Sequence, residues 1–115
     1  MYKTEELLEK NEINGKELEH LLLEREKGRQ DFLLIDVREE YEYNEKRIVG
    51  VDFLLPLSDF FNKVNEIKDY KSKHIIVKCK LGGRSAQAQM QLKSLGFEKT
   101  INLSGGITNY QGEVT

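Results

Sequence analysis

The chain has 115 residues, a length typical of one domain built around one hydrophobic core. Charged residues make up 33% of it, yet the formal net charge is only -2 and both signs are scattered along the chain, which excludes the basic surface of a nucleic-acid-binding protein. The apolar runs are far shorter than the roughly 20 residues that span a bilayer, and residues 1–6 are acidic where a signal peptide is basic. The sequence therefore predicts a cytoplasmic protein with no membrane partner.

The first part of the chain is predicted to hold a leader and one amphipathic helix. We expect residues 1–12 to form an N-terminal leader able to adopt a short helix, and residues 13–115 to form a single domain, because no repeat or linker divides the sequence. Asn14 is a typical N-cap, Glu17 follows three residues later as in a capping box, and Gly28 is the expected stop. The apolar positions at helical spacing between them are Leu18, Leu21 and Leu22.

Three short apolar runs are predicted to be strands. They cover residues 32–37, 74–78 and 100–103, and each is continuous enough for a strand that is buried on both faces. Residues 48–55 form a weaker candidate because Gly50 interrupts the run. The buried runs favour a parallel sheet, since antiparallel strands with one solvated face alternate apolar and polar residues.

Two more helices are predicted in the gaps between the strands. Ser58 is expected to cap the first and Ser85 to open the second, which is expected to end before Gly96. Strands that alternate with helices predict an α/β fold with a mainly parallel sheet covered on both faces, and the reactive loops of such folds lie at the carboxyl ends of the strands. The apolar helix positions are Phe61, Val64 and Ile67 in the first helix and Ala88, Leu92 and Leu95 in the second.

Cys79 is the only cysteine of the chain, and it directly follows the strand predicted at residues 74–78. A single cysteine cannot form a disulfide within the chain or join a multi-cysteine metal site, and His20 and His74 have no partner at metal-ligand spacing, so no metal site is predicted. A lone cysteine is more often a small buried hydrophobe than a catalyst. This one ends a strand and precedes a turn with two glycines, which favours a free, reactive thiol.

The loop after Cys79 is predicted to bind an anion. Its two glycines allow a positive φ and turn successive N–H groups inward, at the positive end of the following helix. Lys80 and Arg84 add positive charge, and thiols in such surroundings have pKa values lowered from about 8.5 to roughly 3.5–7.5. We therefore expect Cys79 to be a thiolate nucleophile at neutral pH. The candidate anion-binding residues are Lys80, Leu81, Gly82, Gly83, Arg84 and Ser85.

Four short motifs resemble those of the rhodanese domain family, and they follow one another along the chain in the same order as in that family. The active-site loop of that family has a cysteine, a glycine three residues on and an arginine two beyond that, as Cys79, Gly82 and Arg84 are here. Residues 35–39 are similar to the family's first-strand signature, and residues 103–106 to its closing Leu-x-Gly-Gly. Each motif is weak alone, but the ordered set is specific. The fourth motif, Arg47-Ile48-Val49-Gly50, is similar to the family's His-Ile-x-Gly element, and Glu42 with Tyr43 follows the first-strand signature as part of it.

The resemblance implies a rhodanese-like, three-layer α/β fold with a sheet of about five strands, and a ping-pong sulfurtransferase. Cys79 would take sulfur from a small donor such as thiosulfate or a persulfide, and a thiol, cyanide or a sulfur-accepting protein would remove it. The N–H groups of residues 80–85 and the charge of Arg84 would hold the Cys79 persulfide. Asp36 and Arg38 would tether the loop. The resemblance implies no metal and no organic cofactor.

The sequence departs from the family pattern at several positions. Lys80 stands where many thiosulfate-using members carry arginine, and a lysine cannot grip a sulfonate with two parallel hydrogen bonds. We therefore expect slow thiosulfate turnover. Lys46 and Arg47 replace the usual glycine and histidine, residues 51–56 are one residue longer than usual, and Tyr110 replaces a tryptophan. We attach no mechanism to these other departures.

Two other classes of function remain open from the sequence. Phosphatases and arsenate reductases of related architecture have five residues between the catalytic cysteine and arginine, whereas four separate Cys79 from Arg84. The shorter loop suits one sulfur atom and is cramped for a tetrahedral oxyanion. The other class is a non-catalytic rhodanese-like module for interaction or sulfur sensing; such modules typically lose the cysteine that this chain retains.

Overall fold

The computed structural model describes residues 3–115, in which five parallel strands form one sheet in the order β1-β5-β4-β2-β3. The predicted α/β fold with a mainly parallel sheet is confirmed. The strands are β1 (Glu12–Ile13), β2 (Leu33–Asp36), β3 (Phe53–Leu54), β4 (Ile75–Lys78) and β5 (Thr100–Leu103). The α-helices of this part of the chain are α1 (Thr4–Leu7), α2 (Gly15–Glu26), α3 (Glu40–Glu45), α4 (Phe60–Lys63) and α5 (Gly83–Ser94), and 3-10 helices span Leu57–Asp59, Val64–Tyr70 and Gly106–Asn109.

Helix α2 begins with the capping box that the sequence predicts. The Glu17 backbone N–H donates to Asn14 Oδ1 at 2.9 Å, and the Asn14 backbone N–H donates to Glu17 Oε1 at 2.9 Å. These bonds satisfy two N–H groups that the start of a helix otherwise leaves unpaired. The helix ends at Glu26, just before Gly28, whose φ of 75° is the left-handed conformation expected at a helix end.

Two strands differ from the sequence prediction. Of the weak candidate over residues 48–55 only Phe53–Leu54 form a strand, β3, and Gly50, with a φ of 110°, lies outside the β region of backbone conformation. Ile48, on the other side of Gly50, forms an isolated antiparallel bridge with Val114. Strand β1 was not predicted, since two residues carry too little pattern to be recognised.

The prediction that Ser58 caps a helix is wrong. Ser58 lies inside the 3-10 turn Leu57–Asp59, and its hydroxyl donates to Glu39 Oε1 at 2.7 Å. The expected single helix is divided into α4 and a 3-10 segment, with non-helical dihedral angles at Ile67 (φ -111°, ψ 16°). Ile67 is fully buried, so its packing against the sheet overrides the local helical spacing.

The prediction that Ser85 opens helix α5 is also wrong. The helix begins two residues earlier, at Gly83, and Gly82 precedes it in the N-cap position. Ser85 therefore lies in the first turn, where it is buried. Leu95 was expected on the apolar face with Ala88 and Leu92, but it follows the last helical residue and its side chain is 38% exposed.

The sheet separates two hydrophobic cores, so it is covered on both faces as predicted. Alternate residues of β4 illustrate the division, because successive side chains of a strand point to opposite faces. One core, on the side of α1 and α2, includes Leu7, Leu18, Leu21, Leu34 and Ile76. The other, on the side of α4 and α5, includes Ile35, Ile75, Val77, Cys79, Ala88 and Leu92. No helix of residues 3–115 has the length and apolarity that would let it cross a membrane.

Parallel strands bring their carboxyl ends to one edge of the sheet. Cys79 follows β4, Val37 follows β2 and Ser104 follows β5 at this edge. Residues that follow these strands are thus close in space although they are far apart in the sequence. The candidate site lies here.

Candidate active site

The loop that connects β4 to α5 surrounds the sulfur atom of Cys79. The backbone N–H of Gly82 points at Cys79 Sγ with an N···S distance of 3.0 Å, and the Ser85 hydroxyl oxygen lies 3.4 Å from the same sulfur. Gly82 has a φ of 111°, which permits the tight turn that aims its N–H inward. Cys79 is 1% exposed, so the sulfur is shielded from bulk solvent.

Opposing effects act on the Cys79 thiol. Burial raises the pKa of Cys79, whereas hydrogen bonds from the Ser85 hydroxyl and from the backbone N–H groups of Ser85, Gly82 and Leu81 lower it, and the net shift is downward. Donors that point at the sulfur stabilise the thiolate more than the thiol. The main lowering causes are thus hydrogen bonds of the loop rather than neighbouring charged side chains.

The two glycines of the loop have different roles, contrary to the prediction that both supply a positive φ. Only Gly82 does so; Gly83 is the first residue of α5 and has ordinary helical geometry. A Cβ atom on Gly83 would meet no atom within 4 Å, whereas one on Gly82 would lie 3.3 Å from the Gly105 backbone nitrogen. The conformation therefore requires glycine at position 82 but not at position 83.

A turn after β5 fixes the back of the loop. The Ile107 N–H donates to the Cys79 carbonyl oxygen at 3.0 Å, and the Thr108 N–H donates to the Lys80 carbonyl oxygen at 3.1 Å. The approach is so close that a Cβ on Gly106 would lie 2.4 Å from the Lys80 carbonyl oxygen and 2.5 Å from that of Cys79. The paired glycines of this turn, 105 and 106, thus pack beside the Cys79 loop.

Ser85 is held between Cys79 and the sheet. Its hydroxyl lies 2.5 Å from Asn102 Oδ1 and 3.2 Å from the Gly82 carbonyl oxygen. The Asn102 side-chain amide in turn donates to the Gly82 carbonyl oxygen at 3.3 Å and to Glu12 Oε2 at 3.4 Å. Asn102 therefore fixes both the Ser85 hydroxyl and the turn at Gly82. No pattern in the sequence marks Asn102 as a site residue, because it lies inside the apolar run of β5.

The two basic side chains of the loop are arranged differently. Arg84 forms a two-pronged ion pair with Glu42, with Nη1···Oε1 and Nη2···Oε2 distances of 2.7 and 2.8 Å. Lys80 and Leu81 are exposed, Leu81 with 66% of its surface accessible. Within residues 3–115 the structure pairs Lys80 with no carboxylate. Lys80 is thus the cation that the loop presents to solvent.

Asp36 and Arg38, predicted to tether the loop, form a buried cluster with Lys78. Asp36 accepts hydrogen bonds from the Arg38 backbone N–H, the Arg38 guanidinium and Lys78 Nζ, the last at 3.0 Å. Arg38 also donates to the Lys46 carbonyl oxygen at 2.7 Å. The cluster ties β2 to the residue that immediately precedes Cys79, and Asp36 and Lys78 are fully buried.

Burial has a marked effect on Lys78. It lowers the pKa of Lys78 to about 8, although Asp36 acts in the opposite direction. The sequence contained a signal for this residue, since a lysine ends an otherwise apolar run that was predicted to be buried. The pairing of Glu42 with Arg84 had no such signal, because the two residues lie in different elements and are 42 positions apart.

The described residues, 3–115, contain no group of three or more His, Cys, Asp or Glu side chains arranged to hold a metal ion. The polar groups that contact Cys79 Sγ are a backbone N–H and the Ser85 hydroxyl, and the Asn102 amide holds that hydroxyl. Such a set is suited to stabilising negative charge on a sulfur atom.

Comparison with curated proteins reveals relatives that are longer than this chain. The putative sulfur carrier protein YrkF of Bacillus subtilis is 35% identical over 80 residues, which are 70% of this chain and 42% of that protein. The tRNA uridine(34) hydroxylase of Cytophaga hutchinsonii is 33% identical over 99 residues, which are 84% of this chain and 31% of that protein. The chain thus spans less than half the length of either relative.

Solved structures of similar size share the fold. A rhodanese-like domain protein from Staphylococcus aureus has a TM-score of 0.76 at 24% identity, over 90% of this chain and 94% of that one. A rhodanese-related protein from Thermoplasma volcanium has a TM-score of 0.75 at 25% identity, over 92% and 98%. The family model described as Rhodanese-like domain matches residues 17–113, a segment that contains β2 to β5 and the whole Cys79 loop. The chain therefore belongs to the family of rhodanese-like domains.

Proposed function

We propose that the protein is a sulfurtransferase that carries sulfane sulfur as a persulfide on Cys79. The observation that carries this proposal is the set of donors aimed at one buried sulfur atom, the Gly82 N–H at 3.0 Å and the Ser85 hydroxyl at 3.4 Å. Such donors favour the thiolate, which is the nucleophilic form of cysteine. They would equally stabilise the negative charge of a persulfide.

The proposed reaction has two steps. In the first, the Cys79 thiolate attacks the outer sulfur of a donor, the donor's S–S bond breaks, and the bonding electron pair leaves with sulfite if the donor is thiosulfate or with a thiolate if it is a persulfide. In the second, a thiol or cyanide acceptor attacks the outer sulfur of the Cys79 persulfide and the thiolate is released. No electrons are gained or lost overall, and the loop stabilises the charge in both forms.

The comparisons support a sulfur-handling role. One relative is named a putative sulfur carrier protein, which is consistent with passing sulfur to another protein. The relatives named tRNA uridine(34) hydroxylase match over about a third of their own length, so their whole activity is no guide to this chain. We place the reaction in the cytoplasm, since a reactive free thiol suits a reducing compartment. We also propose that residues 13–115 form the single domain that carries it out.

Mass spectrometry of the intact protein tests the proposal. After treatment with a sulfur donor we expect a mass gain of one sulfur atom, which cyanide then removes. In Cys79→Ser we expect neither gain nor turnover with an unchanged circular dichroism spectrum, because the hydroxyl is nearly isosteric with the thiol but cannot form a persulfide.

If no donor loads the parent protein, the retained cysteine belongs to a non-catalytic interaction or sensing module, and the sulfurtransferase proposal is wrong. Turnover by a folded Cys79→Ser protein would contradict the role of Cys79 directly.

A further inference from the structure

The buried cluster of Asp36, Arg38 and Lys78 contains more positive than negative charge. Asp36 Oδ2 accepts hydrogen bonds from Arg38 Nη2 at 2.8 Å and from Lys78 Nζ at 3.0 Å. Within residues 3–115 the structure pairs neither cation with a second carboxylate. One carboxylate therefore faces two cations, which leaves one positive charge of the cluster uncompensated.

Asp36 does not need Lys78 as a hydrogen-bond partner. The backbone N–H and the guanidinium of Arg38 already donate to both oxygens of its carboxylate. The Lys78 side chain is fully buried, and a cation taken out of water destabilises the fold unless an opposite charge compensates it. A destabilising buried charge of this kind is characteristic of functional sites.

The uncompensated charge lies behind the Cys79 loop. Lys78 immediately precedes Cys79, which packs with Val77 in the core on the α5 side, and the residue between two such neighbours points to the opposite face of a sheet. The titratable and charged groups that act on Lys78 are Asp36, Arg38 and Cys79, and an anionic Cys79 favours the charged lysine. The attraction is mutual, so protonated Lys78 favours the anion on Cys79.

We propose that Lys78 supplies a buried positive charge that favours the anionic form of the Cys79 sulfur, both in the free thiol and in the persulfide. The charge adds to the hydrogen bonds of the loop. Both side chains are shielded from solvent, so water and salt screen their attraction less than they would at the surface. The part that concerns the persulfide rests on the proposed sulfurtransferase activity, whereas the part that concerns the thiol does not.

The protonation of Lys78 is compatible with this role at neutral pH. Burial lowers the pKa of Lys78 to about 8, so the ammonium group is charged at pH 7 and loses its proton as the pH rises through that value. The stabilisation of the sulfur anion is therefore available at neutral pH and is lost in alkaline solution.

Two variants of Lys78 separate its charge from its hydrogen bond. Lys78→Met removes both, whereas Lys78→Gln removes the charge and keeps a donor for Asp36. In each we expect the pH midpoint of iodoacetamide reactivity to rise by about 0.5–1 unit, which makes alkylation of Cys79 roughly three to ten times slower on the acidic side of the midpoint. The shift should be nearly the same at low and high ionic strength, because the charge is buried.

Two further variants are the controls. Ile76→Met alters the packing of the same strand without changing its charge, and Lys99→Met removes one exposed positive charge that precedes β5 at the other edge of the sheet. We expect neither to move the midpoint. An equal shift in Ile76→Met would assign the effect to packing, and an equal shift in Lys99→Met would assign it to net charge; either result overturns the inference.

The outcomes distinguish this inference from the function on which part of it rests. If a donor loads Cys79 in the parent protein but both Lys78 variants keep the parent's midpoint, the role of Lys78 is wrong and the sulfurtransferase activity stands. If Lys78→Met and Lys78→Gln shift the midpoint but no donor loads the parent, the effect on the thiol is supported and the proposed function is wrong.

Discussion

The Ser85 hydroxyl faces three acceptors with one proton to give. Cys79 Sγ lies 3.4 Å away, the Gly82 carbonyl oxygen 3.2 Å and Asn102 Oδ1 2.5 Å. A hydroxyl donates one hydrogen bond at a time, so Asn102 competes with the Cys79 thiolate for the proton. When the sulfur is charged it is the stronger acceptor, and we expect the hydroxyl to turn toward it.

Replacing Ser85 by alanine should therefore raise the pKa of the Cys79 thiol. One hydrogen bond to a charged group contributes roughly 1.5–3 kcal/mol, which corresponds to an upward shift of about one to two pH units. The midpoint of iodoacetamide reactivity against pH, measured for the parent and for Ser85→Ala, reports the shift. Ser94→Ala serves as the control, because that hydroxyl donates to the Gln91 carbonyl oxygen at the exposed end of α5. Identical midpoints in all three proteins would show that Ser85 does not stabilise the thiolate.

At the residue scale, local sequence was informative about Cys79 and uninformative about its distant partners. The cysteine, the glycine turn and Ser85 lie within seven consecutive residues, and their order predicted the loop. Glu42 and Asn102 reach the site through the topology of the sheet. Nothing in the spacing of Glu42 and Arg84 marks them as a pair, because a contact between separate elements leaves no periodic pattern in either.

At the scale of elements, the start of α5 depends on one glycine and tolerates change at the next. Gly82→Ala would force a side chain into a φ of 111° and bring its Cβ to 3.3 Å from the Gly105 nitrogen. We expect a loss of roughly 1–3 kcal/mol in the free energy of unfolding and slower alkylation of Cys79, since the Gly82 N–H would turn away from the sulfur. Gly83→Ala should instead leave alkylation unchanged and stabilise the protein by about 0.5 kcal/mol.

Urea denaturation and iodoacetamide kinetics on the two variants provide the measurement. They differ by one methyl group at neighbouring positions, so each is the other's control. Equal effects on stability and reactivity would contradict the assignment of the positive φ to Gly82 alone.

The elements that sequence predicted correctly are those fixed by local interactions. The capping box of α2 lies within four residues, and the apolar runs of β2, β4 and β5 are continuous. The helix expected after Ser58 failed because burial of Ile67 kinks it, and the sequence does not show how the segment packs on the sheet. Strand β1 has only two residues, and its partner in the sheet is β5, which is distant in the sequence.

Burial of the charged Lys78 side chain lowers the free energy of unfolding of the whole molecule. The pKa of Lys78 is about 8 in the folded protein against an ordinary value of 10.5, because burial disfavours the charged form. Between these two values the unfolded chain retains a proton that the folded protein has released. Stability should therefore rise with pH across this window, by up to about 3 kcal/mol.

Lys78→Met should remove this rise. At pH 7 we expect the variant to be at least as stable as the parent, because the buried charge is gone while Asp36 keeps its hydrogen bonds to Arg38. Urea denaturation at several pH values between 7 and 10.5 gives the two curves, and Lys80→Met, at an exposed position, is the control. Parallel curves for the parent and Lys78→Met would show that Lys78 is charged in the folded protein throughout.

The order of the strands also determines when the protein becomes complete during synthesis. Strand β5 lies between β1 and β4, so β1, which the ribosome makes first, has no neighbour in the sheet until Asn102 and Leu103 have emerged. The N–H of Ile107, which holds the Cys79 carbonyl, emerges later still. A chain that terminates early therefore lacks the turn that shapes the Cys79 loop, and it should not take up sulfur.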